Sequence, residues 1–377
     1  MKKILLLIAA AAALTPAANA ESASWSIAGK EYAVDTLQCF KSGPGTTLAE
    51  LRLTNGSTNM KVWVTTTDLS DPNIAIKSVN GYPIRSKSMI INDMVSSRKG
   101  DGNVYFLGVN ADLFSTLGPI GTTICDGEIL KTAKTSTGWS AVGVNPNDGT
   151  LNFGTAQVQF SAKLNGKTEL APTLVNVPRG TGESVLFTNR WSSTTTFWPL
   201  TGTPESPEGI HVVLKPKDGM LHSDGPTECT VQSAPVKGSS TVSVPSGCFV
   251  LSSNVEKNIT RWSAMKAGDT YTLTPASINI STNAFGDNHS LTNTLELTGG
   301  DPMLIVQGER RASYPTMPDY GVRRPRTAVG TDRSGTKMML AVLDGDNINK
   351  GVSAGATADE WADVMLAIGC YLSLIHI

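Results

Sequence analysis

Residues 48–68 read LAELRLTNGSTNMKVWVTTTD. Apolar and polar residues alternate on both sides of Asn55-Gly56, which is the period of a half-buried strand. Asn-Gly between two such runs is the strongest short hairpin signal, because both residues tolerate the left-handed backbone of a tight turn. The segment therefore predicts two antiparallel strands. The same pattern recurs in VQFSAKL (158–164), Asn165-Gly166 and KTELAP (167–172), with Val158, Phe160, Ala162 and Leu164 on one face. GIHVVLKP (209–216), CFVLSS (248–253) and DTYTLTP (269–275) read as further strands. The expected fold class is α+β: β-rich mixed sheets with a few helices.

The chain opens MKKILLLIAAAAALTPAANA. A basic start, a short apolar run and a small-x-small end are the marks of a secretory signal over residues 1–20. The run is too short to span a bilayer. The expected location is outside the cytoplasm, periplasmic or secreted, with no membrane anchor after cleavage. The 31 Lys and Arg of the full chain fall to 29 once Lys2 and Lys3 are removed, against 32 Asp and Glu, a net charge near −3. That balance argues against nucleic acid as a partner. The apolar share, 40%, is too high for a disordered chain. Cys39, Cys125, Cys229, Cys248 and Cys370 show no metal-ligand spacing. Cys229 and Cys248, the closest pair, are read either as a disulfide or as buried thiols. The sequence requires no cofactor; a divalent cation stays open.

One helix is well signalled. Thr357-Ala358-Asp359-Glu360 is a capping box, and Trp361, Val364, Met365 and Ile368 follow at helical spacing. Gly369 stands where a left-handed residue would end the helix. Before it, MMLAVLDG (338–345) reads as a buried strand, and RRPRTAVG (323–330) as an extended entry, since Pro325 disfavours helix at Arg324. Three arginines in four positions fit an anion site or a solvated turn. Upstream, VYFLGVNADLF (104–114) reads as a buried strand ending in Asn110 and Asp112, and GPIGTTICDGEI (118–129) as a glycine-rich turn. His211, His222, His289 and His376 have no triad or zinc context, and no GxSxG occurs.

Taken in order, these motifs resemble the bacterial phosphodiester glycosidase family. The resemblance rests on NADLF (110–114), GTTICDG (121–127), VPSGCFVLS (244–252), MKAGDTYTL (265–273), GGDPMLIVQGE (299–309), RRPRTAVG (323–330), LAVLDGDN (340–347) and the helix opened by Ser353–Thr357. It implies a domain over residues 85–371, preceded by a β-rich segment over 21–84. It also implies hydrolysis at a sugar anomeric carbon bonded to a phosphodiester, such as N-acetylglucosamine-1-phosphodiesters. The partner would be a glycan or sugar-phosphate. The resemblance places Asp112, Asp344 and Asn110 as catalytic, and Arg326, Thr327, Gly345, Ser353 and Thr357 as substrate-binding. Arg326 is the expected phosphate clamp. The family pattern continues past the helix with a strand and an Asp-Gly-Gly-Gly-Ser loop. Here Gly369-Cys370-Tyr371 is followed by LSLIHI. The expectation is therefore a domain incomplete at its C-terminus, lacking a strand, with 372–377 a non-native tail. The alternative function is a non-catalytic carbohydrate- or envelope-binding β-rich protein. Convergence of Asp112, Arg326 and Asp344 on one pocket favours the enzyme; separate faces favour the binder.

Overall fold

The expected hairpin forms, with Thr46–Asn55 and Thr58–Asp68 paired antiparallel, but Asn55 is the last strand residue, opposite Thr58, so Gly56 and Ser57 make the turn and Gly56 alone is left-handed, at φ +56. The computed structural model describes residues 23–376 except 83, 85–89, 99, 135–137, 201–207, 283–286, 315–318 and 346–351. The signal expected at 1–20 lies outside the described residues.

This hairpin belongs to a nine-stranded antiparallel sheet. Its order is Ala23–Ile27, Lys30–Gly43, Thr46–Asn55, Thr58–Asp68, Lys337–Leu343, Arg326–Thr331, Leu372–His376, Met303–Val306 and Glu309–Arg310. The N-terminal strands thus share a sheet with strands some 270 residues later, through the pairing of Val62 with Leu343 and of Asp68 with Lys337. The sequence reading expected a missing strand after the helix. In the structure Leu372–His376 fills a central position, paired to Arg326–Thr331 on one side and Met303–Val306 on the other. Leu374 and Ile375 are fully buried there.

A second, fourteen-stranded sheet carries the other hairpin. Leu164 pairs with Lys167, so Asn165 and Gly166 alone make the turn, at φ +49 and +79. Both residues sit in the left-handed region that this turn needs. Ala162 is in the core, and Val158, Phe160 and Leu164 pack on the same cluster, as their spacing requires. The strands read at 209–216, 248–253 and 269–275 are present as Gly209–Pro216, Phe249–Ser253 and Thr270–Thr282.

One face of the nine-stranded sheet is covered by the helix Ala358–Ala367. Its capping box is complete: the Glu360 amide donates to the Thr357 hydroxyl, and the Thr357 amide donates to the Glu360 carboxylate. Trp361, Val364 and Met365 are fully buried against Leu53, Val62, Ala328 and Ala341. Each such side chain contributes roughly 1.5–3 kcal/mol by burial. The opposite face meets the second sheet, where Val329, Leu374 and Met303 pack on Val142, Leu151 and Phe153. Three short helices occur among the described residues. The β part of the α+β expectation is therefore what the fold displays. One other expectation changes, and one open alternative resolves to thiols. Residues 104–110 form no strand; they run as an extended cover, with Val104 87% exposed. All five cysteines are thiols, so Cys229 and Cys248 are not bridged.

Candidate functional site

Strand Arg326–Thr331 sends alternate side chains to opposite faces, and its first two residues part company. Arg326 faces the helix, is 3% exposed, and donates through Nε to the Ala356 carbonyl at 3.0 Å. Its Nη2 donates to the carbonyls of Val322 at 2.8 Å and Asp319 at 3.5 Å. Burial lowers its pKa, opposed by the nearby Asp319 carboxylate. Arg323 pairs with Glu360 and donates to the Gly355 carbonyl at 2.9 Å. Arg324, half exposed, lies 3.5 Å from Asp319. Together the arginines fasten the loop before the capping-box helix. The loop must come close: a Cβ on Gly355, at φ +69, would sit 2.7 Å from the Arg324 carbonyl oxygen.

Thr327 faces the other way. Its hydroxyl donates to Asn110 Oδ1 at 2.9 Å, joining residues 217 positions apart. Thr327 is opposite Val342 in the register, so strand alternation puts Asp344 on this same face. The Asp344 amide donates to the Lys61 carbonyl at 3.0 Å, and Asp344 Oδ1 accepts from the Gly345 amide at 2.8 Å. Ser353 ties this end together: its hydroxyl donates to the Asp344 carbonyl at 2.5 Å and accepts from the Lys61 amide at 3.2 Å. A side chain at Gly345 would put Cβ 2.5 Å from the Pro325 nitrogen, so glycine permits this close approach.

The register also brings in residues that the sequence reading missed. Val62 is opposite Leu343, which sets Lys61 beside Asp344 and Trp63 opposite Val342. Lys61 Nζ lies 2.7 Å from Glu50 and 4.7 Å from the centre of the Trp63 ring. The sequence carried half of this signal, because Lys61 and Trp63 alternate with Val62. The pairing partner is too distant along the chain to be read locally.

Asp112 occupies a separate cradle. It sits at φ +56 and is 3% exposed. Its carboxylate accepts from the amides of Leu113 at 2.8 Å and Gly121 at 2.7 Å, and from the Trp139 indole at 2.8 Å. Burial raises its pKa, opposed by these three donors and by Lys131. Lys131 donates to the Pro119 carbonyl, and burial pushes its amine down to about 8. The glycine-rich turn is needed here, since a Cβ on Gly121 would meet Gly299 Cα at 2.7 Å. The cradle fixes the bend that presents Asn110 to Thr327.

Asn110 and Asp112 line a cleft of about 920 Å³ between the two sheets; Arg326 and Asp344 are not among its lining. The predicted residues therefore do not converge as one pocket. Asn110 and Thr327 meet, Asp344, Gly345 and Ser353 form the adjoining strand end, and Asp112 braces Asn110 from behind. Arg326 and Thr357 lie on the helix side. Among the described residues no group of three His, Cys, Asp or Glu is placed to hold a metal ion.

The fold is similar to that of a hypothetical protein from Synechocystis, with a TM-score of 0.61 and 15% identity over 88% of this chain. It is also similar to a presumed exported protein of Burkholderia pseudomallei K96243, with a TM-score of 0.55 and 15% identity over 84% of this chain. The chain spans 56% of the first protein's length and 67% of the second's. At this identity the likeness is one of fold. No curated protein matches the chain. Residues 227–374, which contain Thr327, Asp344, Gly345, Ser353 and Thr357, match the family model described as phosphodiester glycosidase.

Proposed function

We propose that the protein is an exported hydrolase that cleaves the bond between a sugar anomeric carbon and a phosphodiester. The family match over residues 227–374 supports the reaction class. The contact of Asn110 with Thr327, on the face that also carries Asp344, is the observation that carries the site. In the reaction, a water oxygen bonds to the anomeric carbon and the bond from that carbon to the phosphate oxygen breaks. The phosphate leaves with the bonding electrons, and one water proton completes each product. A phosphate is a good leaving group, so the demand falls on water activation and on the oxocarbenium-like charge. Asp344 is the carboxylate assigned to both. Lys61, with its side chain about a third exposed, takes the phosphate charge in competition with Glu50. Asn110 and Thr327 contact sugar hydroxyls. Gly345 and Ser353 hold the Asp344 strand end, and Thr357 caps the helix behind it.

Besides Asn110, Gly345, Ser353 and Thr357, two further expected roles are reassigned in this reading. Arg326 is a brace, because its guanidinium donates to three backbone carbonyls on the far face. Asp112 positions Asn110, because three N–H groups converge on its carboxylate. The separate placement of Asp112, Arg326 and Asp344 favours a second reading, a carbohydrate-binding protein that keeps the fold without turnover. The deciding experiment is incubation with an N-acetylglucosamine-1-phosphodiester. Release of free sugar by the wild type, and its loss in Asp344→Asn, supports the hydrolase. Saturable sugar binding with no release supports the binder.

A further inference from the structure

Along strand Lys337–Leu343 the face toward the second sheet presents Met338, Leu340 and Val342, and alternation then brings Asp344. The same face of the neighbouring strand presents Val329 and then Thr327. The surface changes from apolar to polar within one strand length: Leu340 to Asp344 is four residues, about 13 Å. Met338, Leu340 and Val329 form part of the floor of the 920 Å³ cleft. Its polar end is Asn110, already bonded to Thr327.

Among the described residues, the cleft has an apolar roof with open volume beneath it. Helix Ile91–Ser97 turns Ile91, Met94 and Val95 into the cleft lining, yet buries none of its residues. The lips are also apolar and exposed: Val104 at 87%, Phe114 at 69% and Phe106 at 41%. Phe106 docks the cover, since its ring fills the space beside Gly43 that a Cβ would need. Among the described residues, only two charged ones line the cleft. Lys77 is held by Asp126 at 2.6 Å and Glu296 at 3.1 Å, and Asp112 by its N–H cradle. The volume is at the upper end for a small-molecule site, with walls mostly apolar. Such a cavity rejects a bare sugar, whose hydroxyls would lose water without partners. It suits an apolar chain whose polar head reaches the Thr327–Asp344 end.

We propose that the cleft binds the apolar chain of the substrate's aglycone, so that the preferred substrate is a glycosyl phosphodiester of a long-chain alcohol. This rests on the phosphodiester glycosidase reading of the adjoining strand end. The chain enters between Val104 and Phe114, lies over Met338 and Leu340, and places the phosphate near Lys61 and the anomeric carbon near Asp344.

The test compares N-acetylglucosamine-1-phosphodiesters bearing methyl or dodecyl aglycones. The expected result is a KM at least tenfold lower for the dodecyl compound, with kcat within threefold. Val104→Asp, at an exposed lip, and Leu340→Trp, which fills the floor, should each remove that preference and leave the methyl kinetics unchanged. Val104→Asp cannot perturb a core, so it keeps the test valid if Leu340→Trp misfolds. Dodecyl phosphate should compete with the methyl substrate. Equal KM values for the two aglycones would overturn the chain site while leaving the hydrolase reading intact. No hydrolysis of either, with saturable dodecyl phosphate binding lost in Val104→Asp, would overturn the hydrolase reading and keep the chain site. Tighter binding of dodecanoate than of dodecyl phosphate, without competition, would assign the cleft to free fatty acids and overturn the aglycone role.

Discussion

Arg326 and Thr327 are adjacent in sequence and belong to different regions of the molecule. Arg326 points to the helix side, where it meets backbone carbonyls from residues 319, 322 and 356. Thr327 points to the cleft side, where it meets Asn110 and shares a face with Asp344. The helix side is closed: Trp361, Val364 and Met365 fill it, and its charges fasten loops. The cleft side is open, with a large unfilled volume and exposed apolar lips. The lesson is that a charged motif in a family pattern need not touch substrate. The side chain most suited to an anion can instead hold in place the strand that carries its neighbour.

The largest effect expected from this contrast is on catalysis by the open side. Asp344→Asn keeps the acceptor for the Gly345 amide and should fold normally, yet lower kcat about 10³-fold. Steady-state rates with thermal melting on the same samples check both halves. On the closed side the effect should move to stability. Arg326→Met strands carbonyls of Ala356 and Val322, at a cost of about 3 kcal/mol in chemical unfolding. Its activity per folded molecule should stay within a few-fold of wild type. A stable Arg326→Met with lost turnover would break the comparison.

The second sheet carries a pH-dependent contribution to stability. His211 is 3% exposed and stacks on Phe197 at 6.0 Å, and burial, aided by Arg179, pushes its pKa down to about 4. An imidazole held neutral in the folded chain but free to protonate near 6.5 when unfolded favours unfolding in acid. The contribution is fully present above pH 6.5 and is lost as pH falls through 4, about 3 kcal/mol in total. Unfolding measured from pH 7 to 4 should show this slope in wild type and a flatter one in His211→Phe. Smaller still, Lys61→Met should raise KM about tenfold with kcat little changed, as loss of one phosphate contact would. Thr327→Val should lower kcat/KM several-fold with stability within about 1 kcal/mol.

Local rules were legible in the sequence wherever a few neighbouring residues decide the outcome. Asn165-Gly166 needs two left-handed residues and has them; Thr357 and Glu360 cap a helix in four residues. The run at 104–110 misled because apolar residues that line an open cleft look like those of a buried strand. Its hydrogen-bonding partners, which distinguish the two, are not encoded locally. The side to which Arg326 points, and the place of Lys61 beside Asp344, depend on register between strands hundreds of residues apart. A shift of one residue would have reversed both.

The central claim is cleavage between the anomeric carbon and the phosphate oxygen, carried out on the Thr327 face. Hydrolysis of an N-acetylglucosamine-1-phosphodiester in ¹⁸O-water tests it directly. The expected result is label in the released sugar and none in the phosphate, with turnover about 10³-fold lower in Asp344→Asn. Label in the phosphate, or full turnover in Asp344→Asn, would contradict it.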